Sequence, residues 1–124
     1  LYDMILIKDN HVDFAGGIDK AIARTQKHLK DNNLNLKIEI ETRTLDEVKQ
    51  VLAIGGVHRI MLDNFSPELL REAAKLIDGK YETEASGGIT LQTLRSYAET
   101  GVDFISSGAL THSVKAMDLS MRAV

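Results

Sequence analysis

A lysine and two carboxylates stand directly after three short apolar runs. Lys8 follows 4–7, Glu41 follows 36–40, and Asp63 follows 59–62. A lysine ending an apolar strand is costly unless it is paired or used, and it can hold an anionic group. Two carboxylates on neighbouring strand ends can hold Mg²⁺ or accept hydrogen bonds from ribose hydroxyls, or they can be a solvated pair partnering Lys8. Glu39 alternates with Glu41 and shares its face. Two inward carboxylates need a cation nearby, because unpaired buried charge is unfavourable; Lys8 is the first candidate.

Two glycine loops come next: Ser86-Gly87-Gly88, and Ser107-Gly108-Ala109 with His112 just beyond. Glycine lets backbone N–H groups approach an anion, and a following helix N-terminus favours negative charge. Either loop alone reads equally as a tight turn that needs glycine. As a pair they point to a phosphate, to which His112 could donate. His11 is a helix-capping or packing residue as readily as a functional one. His28, His58, Arg43, Lys49 and Arg71 read as surface residues.

These side chains must be positioned by a repeating unit. β-type runs at 4–7, 36–40, 59–62, 81–85 and 103–106 alternate with helix-type stretches. Helices are expected over 18–29, 45–54, from Ser66-Pro67 onward, over 90–99 and over 113–124. Thr44 with Glu47 forms a capping box, and Ser66-Pro67 supplies an N-cap with proline at the first helical position. Glu41, Asp63, Ala85 and Ser107 are spaced 22 residues apart, each at or past a strand end. Parallel strands with helical crossovers of one length suit a (β/α) barrel of TIM-like type, whose sites lie at the strand C-termini. A full barrel needs about 250 residues. The 124 residues therefore read as an arc of about five βα units, with the first strands expected upstream of Leu1.

Composition narrows the classes. The net charge of −3 and the lack of a basic stretch argue against nucleic-acid or membrane-surface binding. The absence of cysteine excludes thiolate chemistry, disulfides and Cys-based zinc sites. No apolar run approaches the roughly 18 residues of a membrane span. The opening directly into an apolar strand reads as the start of a piece, which leaves the question of a leader open.

Five motifs in order resemble the nicotinate-nucleotide pyrophosphorylase (carboxylating) family, the quinolinate phosphoribosyltransferases. They are Leu6-Ile7-Lys8-Asp9-Asn10-His11, Glu39-Ile40-Glu41, Met61-Leu62-Asp63-Asn64-Phe65, Glu84-Ala85-Ser86-Gly87-Gly88-Ile89, and Tyr97-Ala98-Glu99-Thr100-Gly101-Val102-Asp103 with Gly108-Ala109-Leu110-Thr111-His112-Ser113. Ser107 departs from the apolar residue expected there. The resemblance implies the C-terminal part of the catalytic barrel over 1–124, with the N-terminal domain lying elsewhere. It implies phosphoribosyl transfer from phosphoribosyl pyrophosphate to quinolinate with Mg²⁺, giving nicotinate mononucleotide, pyrophosphate and CO₂ for NAD biosynthesis. Lys8, Glu41 and Asp63 would be catalytic, the two carboxylates also serving the metal, directly or through water. Ser86, Gly87, Gly88, Ser107, Gly108 and His112 would surround the 5′-phosphate. It also implies a cytoplasmic or organellar homodimer or larger homo-oligomer, inactive as this piece alone, because the residues for the pyridine carboxylates lie upstream. The alternatives are a paralogous transferase with another acceptor, a phosphate-binding barrel lyase or isomerase using Lys8, and a non-catalytic phosphate-binding module.

Overall fold

The computed structural model describes residues 4–107 and 113–122. Five strands run in parallel and in sequence order: β1 (Met4–Ile7), β2 (Lys37–Thr42), β3 (Arg59–Asp63), β4 (Glu82–Ser86) and β5 (Phe104–Ile105). Helices α2 (Ile18–Asp31), α3 (Leu45–Ile54), α4 (Pro67–Ile77) and α5 (Leu94–Ala98) cross between them. This is the expected βα succession, an α/β arc of a parallel barrel.

Alternation along each strand separates two faces. Ile38, Ile40, Ile60, Leu62, Ala85 and Ile105 point to the helices and are almost wholly buried. They meet Ile22 of α2, Val48 and Val51 of α3, and Leu70, Ala73 and Ile77 of α4 in one apolar core. The opposite face carries Glu39, Glu41, Arg59, Asp63, Glu82, Glu84 and Ser86, where barrel interiors are commonly filled by branched aliphatics. The apolar side anchors the strands, and the charged side is left for chemistry.

Caps set the helix starts. Thr44 Oγ1 accepts from Glu47 N–H at 3.1 Å, while Glu47 Oε1 accepts from Arg43 N–H at 2.7 Å, one residue before the expected position of the reciprocal bond. Ser66 Oγ accepts from Leu69 N–H at 3.3 Å.

Three departures from the sequence reading have physical causes. A helix α1 (Asp9–Ala15) follows β1 immediately; Asp, Asn and His are weak helix formers, so propensity does not announce it. It stops at Gly16, whose left-handed backbone (φ +92°) lets its N–H reach Val12 O and Asp13 O. The helix expected over 90–99 is confined to α5. Thr90 and Thr93 satisfy one another's backbone N–H groups with their hydroxyls, at 3.0 and 3.3 Å, and so hold a turn in place of the first helical residues. The stretch expected to be helical over 113–124 opens with β6 (Val114–Lys115), antiparallel to β5, before α6 (Ala116–Arg122).

Candidate active site

The register aligns the polar rim. Ile7 pairs with Ile40, which puts Lys8 beside Glu41 at the ends of β1 and β2. Asp63 pairs directly with Ser86 at the ends of β3 and β4. Glu41 Oε1 accepts from Asp9 N–H at the first turn of α1, at 2.9 Å. Ser86 Oγ donates to Asp63 Oδ1 at 3.0 Å, tying the carboxylate to the first glycine loop. Asn64, in the left-handed region (φ 64°), donates its N–H to Ser86 O at 3.0 Å and locks the two strand ends together.

The two glycines of that loop differ. Gly87 has φ +109°, and a Cβ there would lie 2.9 Å from Asn64 N, so the turn itself demands glycine. Gly88 has no such backbone requirement; a Cβ there would meet only Asn64 Oδ1, at 3.9 Å. Ser107 is half-buried after β5. Gly108 and His112, expected to complete the phosphate loop, lie outside the described residues.

One expectation needs correction. Lys8 does not neutralise the inward carboxylates. Its side chain is exposed, and its ammonium makes no hydrogen bond or ion pair with a described residue. The interior cation is Arg59, on β3 in register with both Glu39 and Glu82. Its Nη2 reaches Glu82 Oε1 at 3.0 Å and its Nη1 reaches Glu84 Oε1 at 3.3 Å. Its guanidinium carbon lies 4.0 Å from the centre of the Phe104 ring. Ser106 Oγ donates to Glu84 Oε2 at 2.7 Å. Arg43 is exposed on a loop, as expected, and it also stands between two acids of the rim: its Nε is 3.6 Å from Asp9 Oδ2 and 3.8 Å from Asp63 Oδ2. The signal for Arg59 was present in the sequence, since it alternates with Met61 and Asp63 on the face shared with Glu39. Nothing in the sequence placed Asp9 and Arg43 together. His58 is exposed as expected, yet its Nδ1 accepts from Ile38 N–H at 2.9 Å. His11 Nδ1 faces Lys8 N–H at 3.4 Å, a capping contact.

Glu39 is the strained member of the interior. Its Oε2 is buried without a hydrogen-bond partner among the described residues. Burial, then a hydrogen bond and charge repulsion from Glu84, push its pKa from 4.5 to about 8 against the opposing pull of Arg59. The folded state therefore keeps a proton that the unfolded chain releases. That contribution to stability is complete below about pH 4.5 and fades as the pH rises towards 8. Glu39→Gln, neutral at every pH, should remove this slope. The melting-temperature difference between variant and wild type should move in the variant's favour as the pH is raised through this window. A difference constant with pH would refute the assignment.

A parallel βα arc with its polar residues gathered on one strand-end rim defines a class, the parallel β/α barrels. The match to known families is narrower. The model of the quinolinate phosphoribosyl transferase C-terminal domain covers residues 1–122, and the chain belongs to that family. It is 48% identical over 136 residues to a chloroplastic nicotinate-nucleotide pyrophosphorylase (carboxylating) of Arabidopsis thaliana, covering 98% of this chain and 39% of the relative. It is 46% identical over 136 residues to a mitochondrial quinolinate phosphoribosyltransferase (decarboxylating) of Nicotiana glauca, with the same coverage. Among solved structures, the nicotinate-nucleotide pyrophosphorylase from Francisella tularensis superposes with a TM-score of 0.77 at 38% identity, covering 93% of this chain and 40% of that one. The chain thus spans about two fifths of the length of the relatives it matches.

Proposed function

We propose that the protein carrying this chain transfers the phosphoribosyl group of phosphoribosyl pyrophosphate to the ring nitrogen of quinolinate. The adduct then loses CO₂, giving nicotinate mononucleotide and pyrophosphate for NAD biosynthesis. The observation that carries this reading is the Asp63–Ser86 bond within the family match. It joins a carboxylate suited to a developing ribosyl cation to a glycine loop suited to the 5′-phosphate.

The roles follow from charge. Asp63 and Glu41 present negative oxygens where C1 of the ribose becomes oxocarbenium-like, which favours the transition state over the bound substrate. Asp9 N–H and Ser86 Oγ each hold one oxygen of a carboxylate and so fix its orientation. Lys8, with no partner among the described residues, is available to an anionic substrate group. Once the ring nitrogen is quaternised, the bond to the carboxylate beside it can break to release CO₂, leaving the electron pair on that ring carbon, where the adjacent positive nitrogen stabilises it. A proton then takes the vacated carbon.

Mg²⁺ fits this rim. No group of three metal-ligating side chains occurs among the described residues, but Mg²⁺ is commonly held by one or two carboxylates together with substrate phosphates. Glu41 and Asp63 each accept a hydrogen bond on their other oxygen, so Glu41 Oε2 and Asp63 Oδ2 are the hard oxygens that would hold such an ion. When bound, it would neutralise the departing diphosphate. All the reactants are water-soluble anions, and no helix among the described residues is long and apolar enough to cross a membrane. The compartment proposed is the cytoplasm or an organelle interior, and the assembly a homodimer or larger homo-oligomer.

Gly88 supplies a test of the phosphoribose half. Because the turn does not need glycine there, Gly88→Ala in the full-length protein should leave the melting temperature nearly unchanged. It should weaken phosphoribosyl pyrophosphate and nicotinate mononucleotide about tenfold, the value of one charge-assisted hydrogen bond. Quinolinate, which has no phosphate, should bind as before. Equal losses for all three ligands in calorimetry would leave the loop a turn and nothing more.

A further inference from the structure

Arg43 lies in the loop between β2 and α3, and its backbone is fixed by the bond from its N–H to Glu47 Oε1 at 2.7 Å. The side chain is 57% exposed, and it reaches over Asp9 and Asp63, each 24% exposed. Both contacts are made by Nε, at 3.6 and 3.8 Å, too long for hydrogen bonds. The two terminal nitrogens lie further from these carboxylate oxygens and donate no hydrogen bond to a described residue. An exposed ion pair of this length holds weakly. Asp63 Oδ1 already accepts from Ser86, so the oxygen facing Arg43 is the remaining one, Oδ2.

We infer that Arg43 is a diphosphate-binding residue of this site, which pairs with Asp63 in the absence of substrate and turns its guanidinium to the diphosphate of phosphoribosyl pyrophosphate when that substrate arrives. This rests on the function proposed above. The exchange keeps charges matched at each stage. Before binding, Arg43 offsets Asp9 and Asp63. On binding, the guanidinium leaves Asp63 for the added negative charge of the diphosphate, and Asp63 Oδ2 would then be open to a divalent cation bound with that diphosphate. Its planar fork of donors suits phosphate oxygens, and no other arginine makes an ion pair with Asp63 among the described residues.

Arg43→Gln in the full-length protein separates this from a structural role, because the inference requires effects of opposite sign. Mg²⁺ alone, titrated calorimetrically without substrate, should bind more tightly, since its competitor at Asp63 is gone. Inorganic pyrophosphate with Mg²⁺, and phosphoribosyl pyrophosphate, should bind about tenfold or more weakly. Nicotinate mononucleotide, which has the 5′-phosphate and no diphosphate, should bind unchanged, and Arg43→Lys should restore part of the pyrophosphate affinity. Unchanged Mg²⁺ and pyrophosphate affinities would overturn the inference while leaving the proposed function standing. So would a uniform loss for all ligands accompanied by a lower melting temperature. Failure of the wild-type protein to bind either phosphoribosyl pyrophosphate or nicotinate mononucleotide would overturn the proposed function, and this inference with it.

Discussion

Asp63→Asn in the full-length protein is expected to lower turnover by about 10²–10³-fold, the usual effect of removing one preorganised electrostatic contact from a transition state. The substitution is nearly isosteric. The amide oxygen can still accept from Ser86 Oγ, now at 3.0 Å from Asp63 Oδ1, so the strand ends should remain joined. What is lost is the negative charge proposed to face the ribosyl cation and the metal, together with the ion pair to Arg43. Quinolinate carries none of the charge that Asp63 is proposed to meet, so its affinity should change little. Single-turnover kinetics and quinolinate calorimetry on the same preparation give the two numbers. Unchanged turnover with altered quinolinate affinity would place Asp63 on the wrong half of the site.

Arg59→Met should have the largest effect on stability. Arg59 is 5% exposed and is the cation paired with Glu82 and Glu84, with Glu39 in register beside it. Replacing a whole buried ion network by apolar residues can be neutral, but removing one partner strands the rest and typically costs about 3–5 kcal/mol. Typical domains have only about 5–15 kcal/mol to lose. Chemical denaturation at neutral pH should show a midpoint shift of that order. Arg59→Lys should lie between, because an ammonium keeps the charge but loses the forked contacts to two glutamates and the stacking on Phe104. A shift below about 1 kcal/mol for Arg59→Met would mean that the glutamates find protons or other partners without it.

The βα order was legible because each strand is short, apolar towards the helices and followed by a conventional start signal such as Thr44 or Ser66-Pro67. The rim was legible for the same reason: a 22-residue repeat places Glu41 and Asp63 at equivalent points of successive units. Features set by side-chain competition or by distant partners were hidden. The hydroxyls of Thr90 and Thr93 shorten a helix that propensity alone would extend. Helix α1 forms from weak helix formers that begin where β1 ends. Alternation with Asp63 puts Arg59 on the inward face, but it does not name the partners of Arg59. Its role appears only when β2, β3 and β4 are brought into register and three glutamates surround it. Arg43 was hidden for a simpler reason: nothing in local sequence says that the loop after β2 leans over Asp9 and Asp63. Lys8 is not the interior counter-ion because the guanidinium of Arg59 already fills that place on the inward face of β3, while Lys8 lies on the exposed rim.

The proposed coupling of phosphoribosyl transfer to decarboxylation can be measured directly. Quinolinate labelled with carbon-13 in the carboxyl beside the ring nitrogen is given to the full-length protein with phosphoribosyl pyrophosphate and Mg²⁺. Labelled CO₂, pyrophosphate and nicotinate mononucleotide are then quantified together. Release of all three in equal amounts is expected, with no labelled CO₂ when phosphoribosyl pyrophosphate is omitted. Labelled CO₂ formed without phosphoribosyl pyrophosphate, or a nucleotide formed only when another acceptor replaces quinolinate, would contradict it.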